Sequence, residues 1–133
     1  MPNHLHVLIN FVEAPKTINS IIGEGKRFMA YEIVNRLEKI GKIDLLSELS
    51  SAVHPSDRKR NKRHEVWEDS FDWKHCWNDK LIRQKLNYMH NNPCGGKWNL
   101  SVNPEKYLHS SAGFYATGQQ GIFRVTNYLD NDV

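Results

Sequence analysis

The sequence predicts an α+β fold, an antiparallel sheet with helices on one face. Three observations carry that expectation. Leu5, Val7, Ile9 and Phe11 alternate with His4, His6, Leu8 and Asn10, the two-residue period of a strand. From about Thr17 to Ile40 the apolar positions Ile18, Ile21, Ile22, Met29, Ile33, Leu37 and Ile40 repeat at 3.6 residues. Between His64 and Trp77 four large aromatics, Trp67, Phe71, Trp73 and Trp77, fill a segment read as part strand and part irregular. Strands and helices intermixed along one chain point to α+β.

Taken in order, the opening strand presents one fully apolar face, which must lie on a core, and one face bearing both histidines. Glu13-Ala14-Pro15 ends it. Thr17 is an N-cap for the long helix and Gly41 its C-cap, while Gly23 and Gly25 weaken the first turns. Lys26, Arg27 and Arg36 are expected along its polar side. A short helix at Asp44 to Leu49 follows, then a polar surface loop from Ser50 to Arg63 containing Pro55. Asn78 can cap a helix running from Asp79 to about Asn91, stopped by Pro93 with help from Gly95 and Gly96. Beyond it lie a turn at Asn103-Pro104, an ordered stretch from Tyr107 to Tyr115 and an apolar segment from Ile122 to Val125. This divides the chain into one domain, residues 1–116, and a tail, residues 117–133.

Composition narrows the class. In 133 residues, 39% are hydrophobic and 25% charged, which argues against a disordered tail or a fibrous repeat. No apolar run approaches the roughly twenty residues of a membrane span, and MPNHLHVLIN lacks the basic start and small-residue cleavage site of a secretory signal. Cys76 and Cys94, without CxxC spacing, suit a reducing compartment, so a cytoplasmic location with no membrane partner is expected. The 18 basic and 15 acidic residues leave +3, and the excess falls before Trp67, where Arg58, Lys59, Arg60, Lys62 and Arg63 occupy five of six positions. Such a run is either a solvated loop or a patch for nucleic-acid phosphates, and charge alone does not choose.

Two places could do chemistry. His4 and His6 on a strand project from one face about 7 Å apart at the backbone, a spacing that lets both reach one metal ion, although HxH pairs are more often plain surface residues. Tyr88 and Asn92 share a helical face; taken singly, a helical tyrosine near Leu81 and Leu86 usually packs on the core. His90 points about 200° around the helix from Tyr88 and is left out.

The combination is more specific than its parts. Pro2-Asn3-His4-Leu5-His6, followed about eighty residues later by Leu86-Asn87-Tyr88-Met89-His90-Asn91-Asn92-Pro93, closely resembles the single-tyrosine HUH transposases, most of all the REP-associated, insertion-sequence 200-like group. That family carries a PxHxH strand and a helix with Tyr-x-x-x-Asn-Pro. Trp67-Glu68-Asp69 and Glu105-Lys106-Tyr107-Leu108-His109-Ser110-Ser111-Ala112 also resemble its segments, so the likeness runs from Pro2 to about Tyr115.

The resemblance implies a ferredoxin-like HUH fold and the following roles. His4 and His6 are metal ligands, with Asn92 as a third. Tyr88 is the nucleophile in metal-dependent cleavage and rejoining of single-stranded or hairpin DNA through a 5′-phosphotyrosine. The cofactor is a divalent cation, Mg²⁺ or Mn²⁺, in keeping with nitrogen and oxygen donors and no thiolate, and no small-molecule cofactor is implied. Lys26, Arg27, Arg58, Lys59, Arg60, Lys62 and Arg63 are the candidate phosphate contacts, with the aromatics available to stack on unpaired bases. In the family a strand, a helix and another strand precede the histidine strand, so the domain is expected to be N-terminally truncated, with the segment from Ile122 onward free to pair in the gap. Two other readings stay open: a DNA-hairpin-binding relative without turnover, and a metal hydrolase in which Tyr88 only packs.

Overall fold

The computed structural model describes residues 1–11, 13 and 16–130. Half of the described residues are helical and none lies in a β-strand, so the α+β expectation and its antiparallel sheet are overturned. The physical reason is the ladder. Alternation specifies which side chains share a face, but a strand exists only where a second backbone pairs with it. No described backbone–backbone hydrogen bond involves residues 1–11, so that segment is unladdered. The segment from Ile122 does not pair with it either: the Gln120 amide donates to Val125 O at 2.9 Å and accepts from Val125 N at 2.7 Å, folding the tail onto itself. Residues 64–77, expected to be part strand, carry no regular structure. Of the expected break after the first segment, Ala14 and Pro15 lie outside the described residues, as do residues 131–133 of the tail.

The chain forms two compact units, Glu13–Trp73 and the pair of segments Met1–Val12 and Lys74–Val133. In the first, α1 (Ile18–Lys39) starts where expected, with the Thr17 hydroxyl accepting from Ser20 N. It ends in a Schellman turn: Gly41 N bonds to Glu38 O and Lys42 N to Leu37 O, with Gly41 at φ +68°, a conformation that costs a side chain but not glycine. The helix α2 (Ile43–Ser51) is longer than predicted at both ends. The expected loop after it holds one helical turn, α3 (Pro55–Arg58), with Pro55 in its first turn, where a missing N–H costs nothing, and His54 Nδ1 accepting from Ser56 N. Val53, 3% exposed, is the buried side chain of this unit.

The inward stripe of α1 contains a residue the sequence reading placed on its polar side. Ile18, Ile22, Ile33 and Leu37 are half-buried, and so is Lys26 between them. Its ammonium donates to Glu68 O at 2.6 Å and Ser70 O at 3.0 Å and lies 5.9 Å from the Phe71 ring centre, while Trp67 Nε1 donates to Lys26 O at 2.9 Å. One residue thus straps residues 67–71 to the helix.

In the second unit, α4 (Asp79–Asn91) begins at Asn78, whose Oδ1 accepts from Leu81 N at 2.8 Å. It passes directly into a 3₁₀ turn, Asn92–Cys94, with Pro93 buried and its carbonyl closed by Leu100 N at 2.7 Å. A second 3₁₀ turn, Pro104–Lys106, is capped by Asn103 and touches both α4 and the short helix α5 (Ala112–Thr117). The α5 contact is close at a glycine: a Cβ on Gly113 would sit 3.1 Å from Glu105 O, tighter than most such contacts. Leu86 on α4 and Ala112 on α5 are 7% and 4% exposed. Tyr128 from the tail donates to Asp79 Oδ1 at 2.7 Å. Arg83 and Tyr128, bonded to this carboxyl, hold it below the usual aspartate range.

Lys26→Met keeps the apolar stem and removes both charged donors. It is expected to lower stability by about 1–3 kcal/mol, read as a lower urea midpoint; an unchanged midpoint would show that the strap carries no load.

Candidate functional site

The two histidines and the tyrosine helix meet within the second unit. The opening segment lays its histidine side, not the expected apolar face, against α4. Leu5, Val7, Ile9 and Phe11 are 39–58% exposed, which corrects the expectation that this face lies on a core. His4 and Leu8, on the opposite side, are half-buried.

Asn92 makes the junction. Its carboxamide nitrogen lies 2.9 Å from His6 Nε2 and 3.4 Å from His4 Nε2, across 86 and 88 residues of sequence. The two imidazoles pack edge to face with centroids 4.9 Å apart, and the Tyr88 ring lies 5.7 Å from that of His6, again edge to face. Tyr88 and Asn92 share a helical face, as the spacing required, because Asn92 remains in right-handed helical conformation with its N–H on Tyr88 O. Pro93, which stops the α-helix, follows it directly.

The electrostatics suit a ligand role. Burial, then the neighbouring His4 and then the N-terminal ammonium, push the His6 imidazole below its ordinary value, so it is neutral at physiological pH with a lone pair to give. Tyr88 is 59% exposed while Leu86, two residues earlier, is buried. The helix therefore separates the packing residue from the phenol, and Tyr88 does not take the core role that a helical tyrosine usually has.

Among the described residues no three His, Cys, Asp or Glu side chains cluster to hold a metal; the third donor here is an amide. The atom of Asn92 that faces the imidazoles is its amide nitrogen, a hydrogen-bond donor and not a ligand. With the amide turned over, two imidazole nitrogens and a carboxamide oxygen would match by chemistry the donors that a divalent ion of the Mg²⁺ or Mn²⁺ kind accepts.

The basic candidates all belong to the other unit and are differently occupied. Besides Lys26, Arg58 donates to Ser50 O and Val53 O, closing the end of α2. Arg60 pairs with Asp57, and Lys62 with Glu65 and Asp57. Arg27 is exposed, its guanidinium 5.2 Å from the Phe28 ring. Lys59 and Arg63 are exposed and make no such bonds among the described residues. Arg58, Lys62, Arg63 and His64 line an open recess of about 380 Å³. The aromatics divide: Trp67 and Phe71 are half-buried, whereas Trp73 and Trp77 are 54% and 72% exposed.

Two functional-looking contacts escape the sequence reading. Asn3 Oδ1 lies 2.8 Å from His4 Nδ1. His90, set aside as a base, bonds Ser111 Oγ through Nε2 at 2.9 Å, so the second of the paired serines anchors the tyrosine helix to the start of α5. Neither contact has a sequence signal beyond adjacency to a motif. None of the described helices is long and apolar enough to cross a membrane.

Comparison with known proteins gives no answer of its own. No protein-family model, curated protein or solved structure matches the chain.

The His90 contact has a pH signature. Burial lowers the His90 pKa below its ordinary value of 6.5. As pH falls, the unfolded chain takes up this proton before the folded one, so stability present above about pH 6.5 is lost as pH drops toward the lower folded value. Urea unfolding is expected to show a lower midpoint at about pH 5.5 than at about 7.5, with a smaller difference in His90→Gln; an identical difference in the variant would remove His90 from the linkage.

Proposed function

We propose that the chain is a metal-dependent, single-stranded-DNA nicking and joining protein of the transposase kind, with Tyr88 as nucleophile and His4, His6 and Asn92 as cation ligands. One observation carries the reading: Asn92 bonds both imidazoles while the ring of Tyr88, one helical turn before it, packs edge to face with His6. Motifs that resemble the REP-associated, insertion-sequence 200-like family, about eighty residues apart in the chain, thus meet in one cluster with one exposed phenol.

The chemistry asked of these residues is specific. The Tyr88 oxygen attacks a backbone phosphorus, the P–O3′ bond breaks, and the phenolic proton is matched by the proton gained at the released 3′-hydroxyl. The product is a 5′-phosphotyrosine, which a second 3′-hydroxyl can attack in the reverse sense, joining strands without a nucleotide cofactor. A free phenol has pKa ~10 and is a weak nucleophile at neutral pH, so it needs help. His4, His6 and Asn92 would hold a divalent cation, which when bound would supply Lewis-acid stabilisation of the charge that develops on the phosphate. His4 and His6 would contribute ring nitrogens and Asn92, with its amide turned over, a carboxamide oxygen, and the exposure of Tyr88 leaves room for a phosphate beside it. Arg63 and Lys59, with no protein partner among the described residues, are the strongest candidates for phosphate contact, whereas Lys26 and Arg58 already serve backbone carbonyls. The exposed Trp73 and Trp77 are the aromatics able to stack on unpaired bases.

A second reading, hairpin binding without turnover, draws on the unladdered segment that carries both histidines: a catalytic centre demands placement to about 0.5 Å, and no backbone hydrogen bond among the described residues holds this one.

Incubation of the protein with single-stranded hairpin DNA and Mn²⁺ is expected to give a covalent adduct that survives SDS. Tyr88→Phe should abolish it, His6→Ala should reduce it at least about a hundredfold, and EDTA should prevent it. DNA binding without any adduct would favour the second reading, and an adduct undiminished in Tyr88→Phe would refute the nucleophile.

A further inference from the structure

Ligand histidines work only if the correct ring nitrogen carries the lone pair. For His4 the contacts leave one consistent choice. The Asn92 amide nitrogen faces His4 Nε2, so Nε2 accepts and carries no hydrogen; Nδ1 then bears the proton. Asn3 Oδ1, a pure acceptor, lies 2.8 Å from that Nδ1. The two bonds specify the same tautomer from opposite sides of the ring. His6 differs: its Nε2 accepts from Asn92, but no described residue holds its Nδ1. The pair is therefore asymmetric, with one imidazole braced and the other held by the cluster alone.

We propose that Asn3 is a positioning residue: it holds His4 in the Nδ1–H tautomer and aims the Nε2 lone pair at the point where His6 and Asn92 converge. The inference deepens the proposed function and rests on the reading of His4 as a cation ligand. Asn3 touches no reacting atom; it acts through His4. An outer amide or carboxylate on the far nitrogen of a ligand imidazole both orients the ring and raises its basicity, and losing one costs about 10–100-fold in affinity. Asn3 is exposed, so its contribution to packing is small and Asn3→Ala leaves the fold intact.

The test separates tautomer from metal. Long-range ¹⁵N–¹H imidazole spectra of the metal-free protein at about pH 8.5, above the ordinary imidazole range, are expected to show His4 as Nδ1–H. In Asn3→Ala that preference should be lost, and in Asn3→Asp, which keeps the acceptor, it should return. Mn²⁺ titration followed by electron paramagnetic resonance should show about tenfold weaker binding in Asn3→Ala and wild-type or tighter binding in Asn3→Asp. An unchanged His4 tautomer in Asn3→Ala overturns the proposal. So does a lost tautomer with undiminished Mn²⁺ affinity, since positioning would then be without consequence. If the wild type fails to bind Mn²⁺, the ligand reading falls, and the metal-free spectra still decide whether Asn3 sets the ring.

Discussion

A single carboxamide holds the candidate site together. The segment that carries His4 and His6 has no ladder among the described residues, and Leu5, Val7, Ile9 and Phe11 are exposed, so no sheet and little apolar packing beyond Leu8 set its position. Asn92 does so by offering its amide to both imidazoles. Its own position is dictated by backbone geometry. The amide projects from the last residue before a buried proline, where the α-helix tightens into a 3₁₀ turn that Leu100 closes. Removing the turn would move the amide, and moving the amide would release the histidines from α4. The phenol depends on the same device, since Tyr88 precedes Asn92 by one turn and rests on the ring that Asn92 holds.

Much of the helical structure was legible because its causes are local. Thr17, Gly41, Asn78 and Pro93 mark ends by chemistry that acts within a few residues, and all four do so where expected. The absence of a strand was not legible, because half of a strand's cause lies elsewhere. Alternation in Leu5, Val7, Ile9 and Phe11 describes a face; it does not supply a partner backbone. The same alternation also misled about which side turns inward, since the face with more apolar area faces solvent. What decided the side was polar: two lone pairs meeting one amide across more than eighty residues, a contact that periodicity cannot register. Lys26 is the converse case. Its charge suggested a solvent or phosphate role, yet it stands four residues after Ile22 and seven before Ile33, on the inward stripe. Spacing carried the signal and charge obscured it.

The basic cluster shows why a charge count overstates a binding surface. Residues 57–65 hold five cations and two carboxylates, a local +3 that equals the excess of the whole chain. Their bonds divide them further. Arg58 closes the α2 end, and Arg60 and Lys62 are paired with Asp57 and Glu65, so a phosphate would have to compete for these groups. Exposed ion pairs contribute about 0–1 kcal/mol, so Arg60 can be recruited cheaply, whereas the Arg58 bonds to carbonyls terminate a helix and cannot. The field is thus carried mainly by Lys59 and Arg63, with Arg60 in reserve.

The same reasoning about lone pairs explains why an amide, rather than a carboxylate, suits the position of Asn92. In the structure both imidazoles present acceptors, and an acceptor-only aspartate between them would place charge against lone pairs with no hydrogen to share. An amide has two ends. Its nitrogen end satisfies the two histidines together when they face each other alone, and its oxygen end is the donor a hard cation requires when their lone pairs are engaged elsewhere. One uncharged side chain therefore fits both conditions without movement of the helix that bears it, and His6, already pushed toward its neutral form, needs no proton removed to serve in either. Asn3 matters for the same reason: a ring free to exchange tautomers would turn His4 Nε2 into a second donor opposing the amide nitrogen, and the junction on which Tyr88 rests would lose one of its two acceptors.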